Sequence, residues 1–437
     1  MPGTSTIEAP ATTDFDLADW LSWQEGLNPK MVDLGLDRPA RVAARMGLET
    51  LPMPVVTVAG TNGKGSCIAY LTSILESAGH QVAAYTSPFL HRYNESLRIR
   101  GHEVADDTLV AAFREVERAR GDVALTFFEF RTLAALHIIR RSRVSVALLE
   151  VGLGGRLDAV NLMDADVAVV TSVDLDHMDW LGPDRERNGR EKAGIFRPGR
   201  PAVCGDSSPP ESLLEHARGL GAGLHTLGRE YAWQQGDGGW SWQGPGRVYE
   251  DLPALAMAGE FQHDNAAAAL MALQFLQPAL SIPVKAVGEG IANAWLPGRQ
   301  QIFGDAIECL VDVAHNAEAA RALAATLAAR PAAGRTHAVF AVLADKNPIT
   351  VAAALDGLVD EWHTATLPGP RGQNAEDLAR GLRRQFPGQP VNVHEDIAGA
   401  WRVALSGARP GDRVVAFGSF LTAREALGVN RDVRARN

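Results

Sequence analysis

The densest chemistry in the sequence lies in Val58-Ala59-Gly60-Thr61-Asn62-Gly63-Lys64-Gly65-Ser66. A β-branched run feeds a glycine-rich turn that opens a helix, where backbone N–H groups and the helix dipole can cradle phosphate. Gly63 and Gly65 let the chain approach a phosphate closely, Lys64 supplies a point charge, and Ser66 can reach a Mg²⁺ ion. The loop is shorter than the usual GxxxxGK[ST] form, and Gly65 separates the lysine from the serine. The competing reading is a glycine-rich turn with a chance lysine. Glu150 ends an apolar run and is followed by Gly152, Gly154 and Gly155. A carboxylate there points into the crevice at the C-terminal ends of parallel strands; the plainer alternative is a strand-end salt bridge. His177 follows a second apolar run at another such edge.

These groups need a scaffold, and the hydrophobic pattern supplies one. Near-continuous apolar runs over 54–59, 81–85, 144–151 and 166–171 read as strands covered on both faces, with a helix over 65–77. A second alternating series follows, with strands over 309–313, 337–343, 362–366 and 413–417 and alanine-rich helices such as 317–329. Pro297-Gly298 is the best hinge. The expected fold is α/β. An N-terminal P-loop-type, mostly parallel sheet flanked by helices spans 1–297, and a smaller Rossmann-like α/β domain spans 298–437. Residues 231–253, rich in Trp, Gly and Gln, suggest a small antiparallel insertion whose tryptophans pack a hairpin.

Composition narrows the function classes. Of 437 residues, 42 are Lys or Arg and 52 are Asp or Glu, a net charge of 42 − 52 = −10. That excess disfavours nucleic acid and anionic lipid, so an anionic substrate needs local cations or metal ions to hold it. Cys67, Cys204 and Cys309 are far apart and form no CxxC pair, which suits a reducing compartment. The N-terminus lacks the basic and apolar regions of a signal peptide, and the longest apolar stretches fall short of the ~20 residues of a membrane span. A cytoplasmic protein is expected. The basic tail (Arg431, Arg434, Arg436) reads as a solvated end.

Gly-Thr-Asn-Gly-Lys-Gly-Ser at 60–66 resembles the loop of the folylpolyglutamate synthase and dihydrofolate synthase family, relatives of the Mur ligases. The likeness continues through Thr86-Ser87-Pro88, LTFFEF at 125–130, EVGLGGRLDAVN at 150–161 and DHMDWLG at 176–182. It then takes in GREKAGIF at 189–196, LPGR at 296–299, DVAHN at 312–316, GPRG at 369–372 and Gly418-Ser419-Phe420. The resemblance, nearest to the bifunctional proteobacterial type, implies an ATP-dependent ligase that joins L-glutamate to dihydropteroate and to reduced folates through an acyl phosphate. Such chemistry asks for charge neutralisation and exclusion of water.

By this resemblance ATP is held by Thr61, Asn62, Gly63, Lys64, Gly65, Ser66, Asn265, Arg299 and Asp312. Two Mg²⁺ sites draw on Ser87, Glu150, His177 and Lys192, with Lys192 resembling a lysine carried as a carbamate. The pterin-bearing substrate falls to Asp33, Thr126, Phe127, Phe128, Glu129, Leu157, Asp158 and Ala159, and the glutamate pocket to His315 and Ser419. A monomer is expected. Ala317, Leu421 and Phe89 depart from the family's commoner Pro, His and His. Two other readings compete: a Mur-type ligase of peptidoglycan precursors, disfavoured by Gly65 and by the lack of a nucleotide-sugar domain before residue 55, and a regulatory nucleotide binder. A folylpolyglutamate synthase without dihydrofolate synthase activity is a third.

Overall fold

The structure is a computed structural model and describes residues 15–435 apart from 31, 278 and 370, with side chains described to residue 429. The side chains of Arg431, Arg434 and Arg436, and the first fourteen residues, lie outside the described residues.

Eight strands form the first sheet: β1 (Val55–Ala59), β2 (Val82–Tyr85), β3 (Leu97–Ile99), β4 (His102–Glu103), β5 (Val146–Glu150), β6 (Val167–Val170), β7 (Pro201–Cys204) and β8 (Gly223–Thr226). Their order is β4-β3-β2-β5-β1-β6-β7-β8. The six strands from β2 to β8 are mutually parallel, and only the β3–β4 edge is antiparallel. Every residue of β1, β2, β5 and β6 is buried, because helices cover both faces, as the unbroken apolar runs require. One face is covered by Lys64–Ser77 and Phe261–Leu276, the other by Asp106–Arg120 and Phe127–Arg141.

The insertion folds as an antiparallel sheet of β9 (Ala232–Gln235), β10 (Trp240–Gly244) and β11 (Arg247–Leu252). Trp240 and Trp242 are buried, and Trp242 Nε1 donates to Ala267 O at 3.1 Å. Trp233 Nε1 donates to Asp264 Oδ1 at 2.7 Å. The tryptophans therefore brace the helix Phe261–Leu276 that carries Asn265, the packing role read from the sequence.

The second sheet comprises β12 (Gln301–Phe303), β13 (Glu308–Val311), β14 (Thr336–Phe340), β15 (Glu361–Ala365), β16 (Val391–His394) and β17 (Arg413–Phe417), in the order β12-β13-β17-β14-β15-β16. It is parallel except for β12. The α/β architecture is thus the expected one. Strand limits differ by one to three residues: the run read over 337–343 is a strand only to Phe340, since Leu343 leaves the ladder to bridge Gly372.

Candidate active site

β1 lies between β5 and β6, and the chain leaves it into the phosphate loop at the point where the strand order turns. Such a switch point opens a crevice at the C-terminal strand ends. Gly63 caps the helix Lys64–Ser77 with φ 84°, and a Cβ there would overlap Asn265 Oδ1. Gly60 is equally constrained: its φ is 150°, and a Cβ would overlap Thr171 Oγ1. Only glycine fits either place. Thr61 fixes the loop, donating to Asp174 O at 2.9 Å and accepting from Asp174 N at 3.0 Å. Lys64 Nζ donates to Gly60 O and Thr61 O, at 3.0 and 3.1 Å, so its ammonium sits over the turn. The helix begins at Lys64 rather than at Gly65.

A cavity of about 290 Å³ is lined by this loop together with Ser87, Glu150, His177, Lys192, Asn265, Arg299, Asp312 and His315. Residues drawn from positions 60 to 315 thus meet in one place. Glu150, the last residue of β5, is 4% exposed and accepts from Ser87 N at 3.1 Å. Burial raises its pKa, opposed by the charges of Lys64 and Arg299 and by the Ser87 N–H. An ideal Cβ on Gly65 would stand 3.5 Å from Arg299 Nη2 and 3.8 Å from Glu150 Oε2, so loop, carboxylate and guanidinium converge. Asp312 is buried beside Arg299, and burial pushes its pKa up to about 6.

His177 lies seven residues beyond the end of β6, with φ 49°. Burial depresses its pKa to about 4, which keeps the imidazole neutral and able to ligate a metal. Glu150, Ser87 and His177 line the same cavity, and the carboxylate and hydroxyl oxygens are the donors that suit Mg²⁺. Lys192 is 2% exposed on Arg185–Ala193, and no hydrogen bond among the described residues reaches its ammonium. Burial, reinforced by the Lys64 charge, lowers its pKa to about 8.

A second cavity, about 990 Å³, adjoins the first and shares Ser87, Pro88, Gly152, Leu153, Asp176, His177 and His315 with it. Asp33, Thr126, Phe128, Glu129, Leu157, Asp158 and Ala159 line it. Several of them also hold the wall together. Thr126 and Glu129 form a reciprocal helix cap, and Arg38 bridges Asp33 and Glu129 at 2.9 Å to each. Asp158 accepts from the N–H groups of Gly152, Leu153 and Val160, while burial raises its pKa to about 6.

Two expected contacts are corrected. Phe127 packs edge-on against Tyr93 in the core and does not line either cavity, because successive helix residues face different directions. Ser419 is buried in the cap of the C-terminal helix, where its Oγ lies 2.7 Å from Thr422 Oγ1 and accepts from Thr422 N; its neighbour Phe420 reaches the cavity instead.

The structure also adds residues that the sequence reading left out. Lys346, after β14, is ion-paired with Asp176, and Asp176 Oδ2 lies 3.4 Å from His315 Nε2. Against the burial that would raise it, the His315 hydrogen bond and the Lys346 ammonium hold the Asp176 carboxyl well below the usual carboxylate range. Arg131 stacks on Tyr85, Tyr93 and Phe128, and Met178 and Trp180 expose apolar surface to the larger cavity. Trp180 and Arg371 sat within blocks already noticed. Lys346 had no signal except its place after a strand in the second sheet. Lys64, Arg299, Arg131 and Lys346 thus place cations among the carboxylates of the two cavities, within reach of an anionic substrate in a chain of net charge −10.

A glycine-rich phosphate loop and a buried carboxylate, lining one cavity with residues of the second α/β layer, define a nucleotide-binding site of the phosphate-loop class. The family described as "Mur ligase, glutamate ligase domain" matches residues 298–420. The Escherichia coli K12 dihydrofolate synthase/folylpolyglutamate synthase is 44% identical over 414 residues, covering 94% of this chain and 95% of that protein. The Haemophilus influenzae protein of the same name is 38% identical over 432 residues, covering 94% and 97%. Among solved structures, E. coli FolC in complex with DHPP and ADP superposes with a TM-score of 0.92 at 43% identity, covering 98% of this chain and all of that one. A bifunctional enzyme with Mn, AMPPNP and L-glutamate bound gives 0.88 at 41%, covering 96% and 99%. The chain belongs to the dihydrofolate synthase/folylpolyglutamate synthase family, and it is an ATP-dependent carboxylate–amine ligase.

Proposed function

We propose that this chain joins L-glutamate to dihydropteroate and to reduced folates, with ATP as co-substrate and an acyl phosphate between the two half-reactions. The observation that carries the reading is the wall common to both cavities. Phosphate held on the Gly60–Ser66 loop and a carboxylate entering from the larger cavity would meet at Ser87, Gly152, His177 and His315. Lys64 and Arg299 neutralise phosphate charge, Asn265 braces the loop, and Asp312 orients Arg299. Phe128 and Trp180 offer flat apolar surface to a pterin and its p-aminobenzoyl group.

Ser87, Glu150 and His177 would hold one divalent cation. A carbamate on Lys192 would help to hold a second and remove the repulsion of a bare ammonium. A bound cation screens the charge that builds on the transferring phosphoryl oxygens. His315, from the second sheet's side of the wall shared by both cavities, supports a glutamate pocket on the C-terminal side of the crevice. We place the domain boundary between residues 297 and 298, just before β12. A monomer is supported by a site contained within one chain, and a reducing compartment by three buried free thiols; among the described residues no helix is long and apolar enough to cross a membrane.

The test is ADP release in three mixtures: dihydropteroate with glutamate, tetrahydrofolate with glutamate, and glutamate alone. Turnover in the first two only is expected. Turnover with tetrahydrofolate alone would reduce the activity to polyglutamylation, and ADP release independent of any pterin would overturn the reading.

A further inference from the structure

On one face of the second sheet, three histidines and a carboxylate gather: His337, Glu361 and His363 in the N-terminal parts of β14 and β15, and His394 at the C-terminal end of β16. His337 is the second residue of β14, Glu361 and His363 are the first and third of β15, and His394 ends β16. His337 pairs with Glu361 across the parallel ladder. Alternate strand residues share a face, so His337, Glu361 and His363 project to the same side. His337 is 4% exposed and His363 3%.

The contacts within the cluster are close but incomplete. His337 Nδ1 lies 3.4 Å from Glu361 Oε2, and His363 Nε2 lies 3.8 Å from Glu361 Oε1. One ligand atom from each of the three residues falls within 4.8 Å of the others. The buried Nε2 atoms of His337 and His363 have no hydrogen-bond partner, and a buried polar atom left unpaired is costly. His363 Nε2 faces the carboxylate at a distance too long for a hydrogen bond.

We propose that His337 Nδ1, His363 Nε2 and the Glu361 carboxylate form a site for one zinc-class divalent cation, its fourth position taken by water, remote from the ligase cavities. Ligands ~2.0–2.1 Å from a tetrahedral zinc stand ~3.3–3.4 Å apart. The observed 3.4 and 3.8 Å separations reach different oxygens of Glu361, and all three ligand atoms lie within 4.8 Å of one another, so a bound cation would draw the side chains together. Two imidazoles and a carboxylate suit zinc better than Mg²⁺, which prefers oxygen.

One outer contact has the form that orients a metal-bound imidazole. His363 Nδ1 is 3.0 Å from His394 Nε2, while Asp412 Oδ2, 3.6 Å from His337 Nε2, stands just beyond hydrogen-bond reach. Burial keeps His363 neutral, with its pKa down to about 4, so a lone pair is available. Two groups compete for Glu361. Asn392 Nδ2 donates to Oε1 at 2.7 Å, and Arg335 Nη2 stands 3.3 Å from Oε2. The carboxylate has lone pairs left over beyond the Asn392 bond, and the Arg335 side chain, 52% exposed, can turn to solvent.

The full-length protein, freed of metal and held in saturating Mg²⁺ and ADP to fill the ligase site, is titrated with Zn²⁺. Bound zinc is counted by mass spectrometry after gel filtration. One equivalent is expected in the parent and in Glu150→Gln. Affinity should fall at least ~100-fold in His363→Gln and in Glu361→Gln, beyond the 10–100-fold cost of losing an outer contact. Glu361→Gln keeps the side-chain shape, so it remains informative if the histidine variant does not fold. Co²⁺ in place of zinc should give visible d–d bands that Glu361→Gln lacks. No zinc retained by the parent, zinc undiminished in Glu361→Gln, or zinc lost in Glu150→Gln would each overturn the assignment; the first result would leave a metal-free histidine ladder.

Discussion

Carbamylation of Lys192 makes a demand on its chemistry that can be worked from its surroundings. The ammonium first gives one proton to water, and the neutral amine then adds CO₂ with loss of a second proton, so a cation becomes an anion. An ordinary lysine, with a pKa near 10.5, is only about 0.1% neutral at pH 7.5. Burial, with the Lys64 charge adding to it, brings Lys192 to about 8. The neutral fraction at pH 7.5 then becomes about a quarter, a gain of ~200-fold in reactive amine. Ligation should therefore fall when bicarbonate is stripped or the pH lowered below 8, and recover when CO₂ is returned. Protein equilibrated with ¹³C-bicarbonate should show a carbamate resonance that Lys192→Arg lacks, and Lys192→Arg should be nearly inactive. Lys192→Ala should regain part of its activity with a short carboxylic acid. Stability supplies a second readout in CO₂-free buffer. The folded pKa lies below the unfolded one, so the unfolded chain binds the extra proton between pH 8 and 10.5, and stability should rise with pH across that window by about 3 kcal/mol. Lys192→Met should flatten that slope. Full activity in Lys192→Arg, or no carbamate resonance in fully active enzyme, would refute the reasoning.

Lys64→Ala should abolish ligation with an unchanged circular dichroism spectrum, because Lys64 bonds only loop carbonyls; near-parental turnover at saturating ATP would remove it from phosphate binding. Glu150→Gln should cut turnover about 10²-fold or more, the scale of losing one strong electrostatic stabiliser, and weaken the response to Mg²⁺. His177→Ala should act in the same direction, and Mg²⁺ titrations matching the parent's in both would exclude them as ligands. Phe128→Ala should raise KM for the pterin substrate while Phe127→Ala lowers Tm at constant KM; the reverse pattern would place the wrong ring in the cavity.

The parts of the site legible in the sequence are those fixed by neighbours in the chain. The Gly60–Ser66 turn, with Glu150 at the end of an apolar run, announces its position because a buried parallel strand can end only at the crevice. Phe127 and Phe128 are adjacent and chemically alike, and only the helix phase separates a core ring from a cavity ring. Ser419 failed for a related reason: small hydroxyl residues cap helices as readily as they bind ligands. Lys346 was invisible because its partner, Asp176, lies 170 residues away, and no local pattern encodes that pairing. The His337–Glu361–His363 cluster likewise depends on which strands become neighbours, a matter of sheet order rather than spacing.

The two sheets meet through contacts concentrated on the catalytic loops. Asn62 and Asn316 exchange amide hydrogen bonds at 3.1 Å, Asn316 Nδ2 donates to Asp176 Oδ2 at 3.1 Å, and Arg321 pairs with Asp174 at 2.6 Å. Asn62 and Asp174 belong to the phosphate loop and its buttress, while Asn316 also caps the helix Ala317–Ala329. The buried Lys346–Asp176 pair joins the same seam, and either charge left without the other would be costly in so dry a place. Closing the seam therefore completes the wall shared by both cavities, and opening it exposes that wall to water. An acyl phosphate survives only where water is excluded. The residues that hold the domains together are thus placed to guard the intermediate as well as to shape the site.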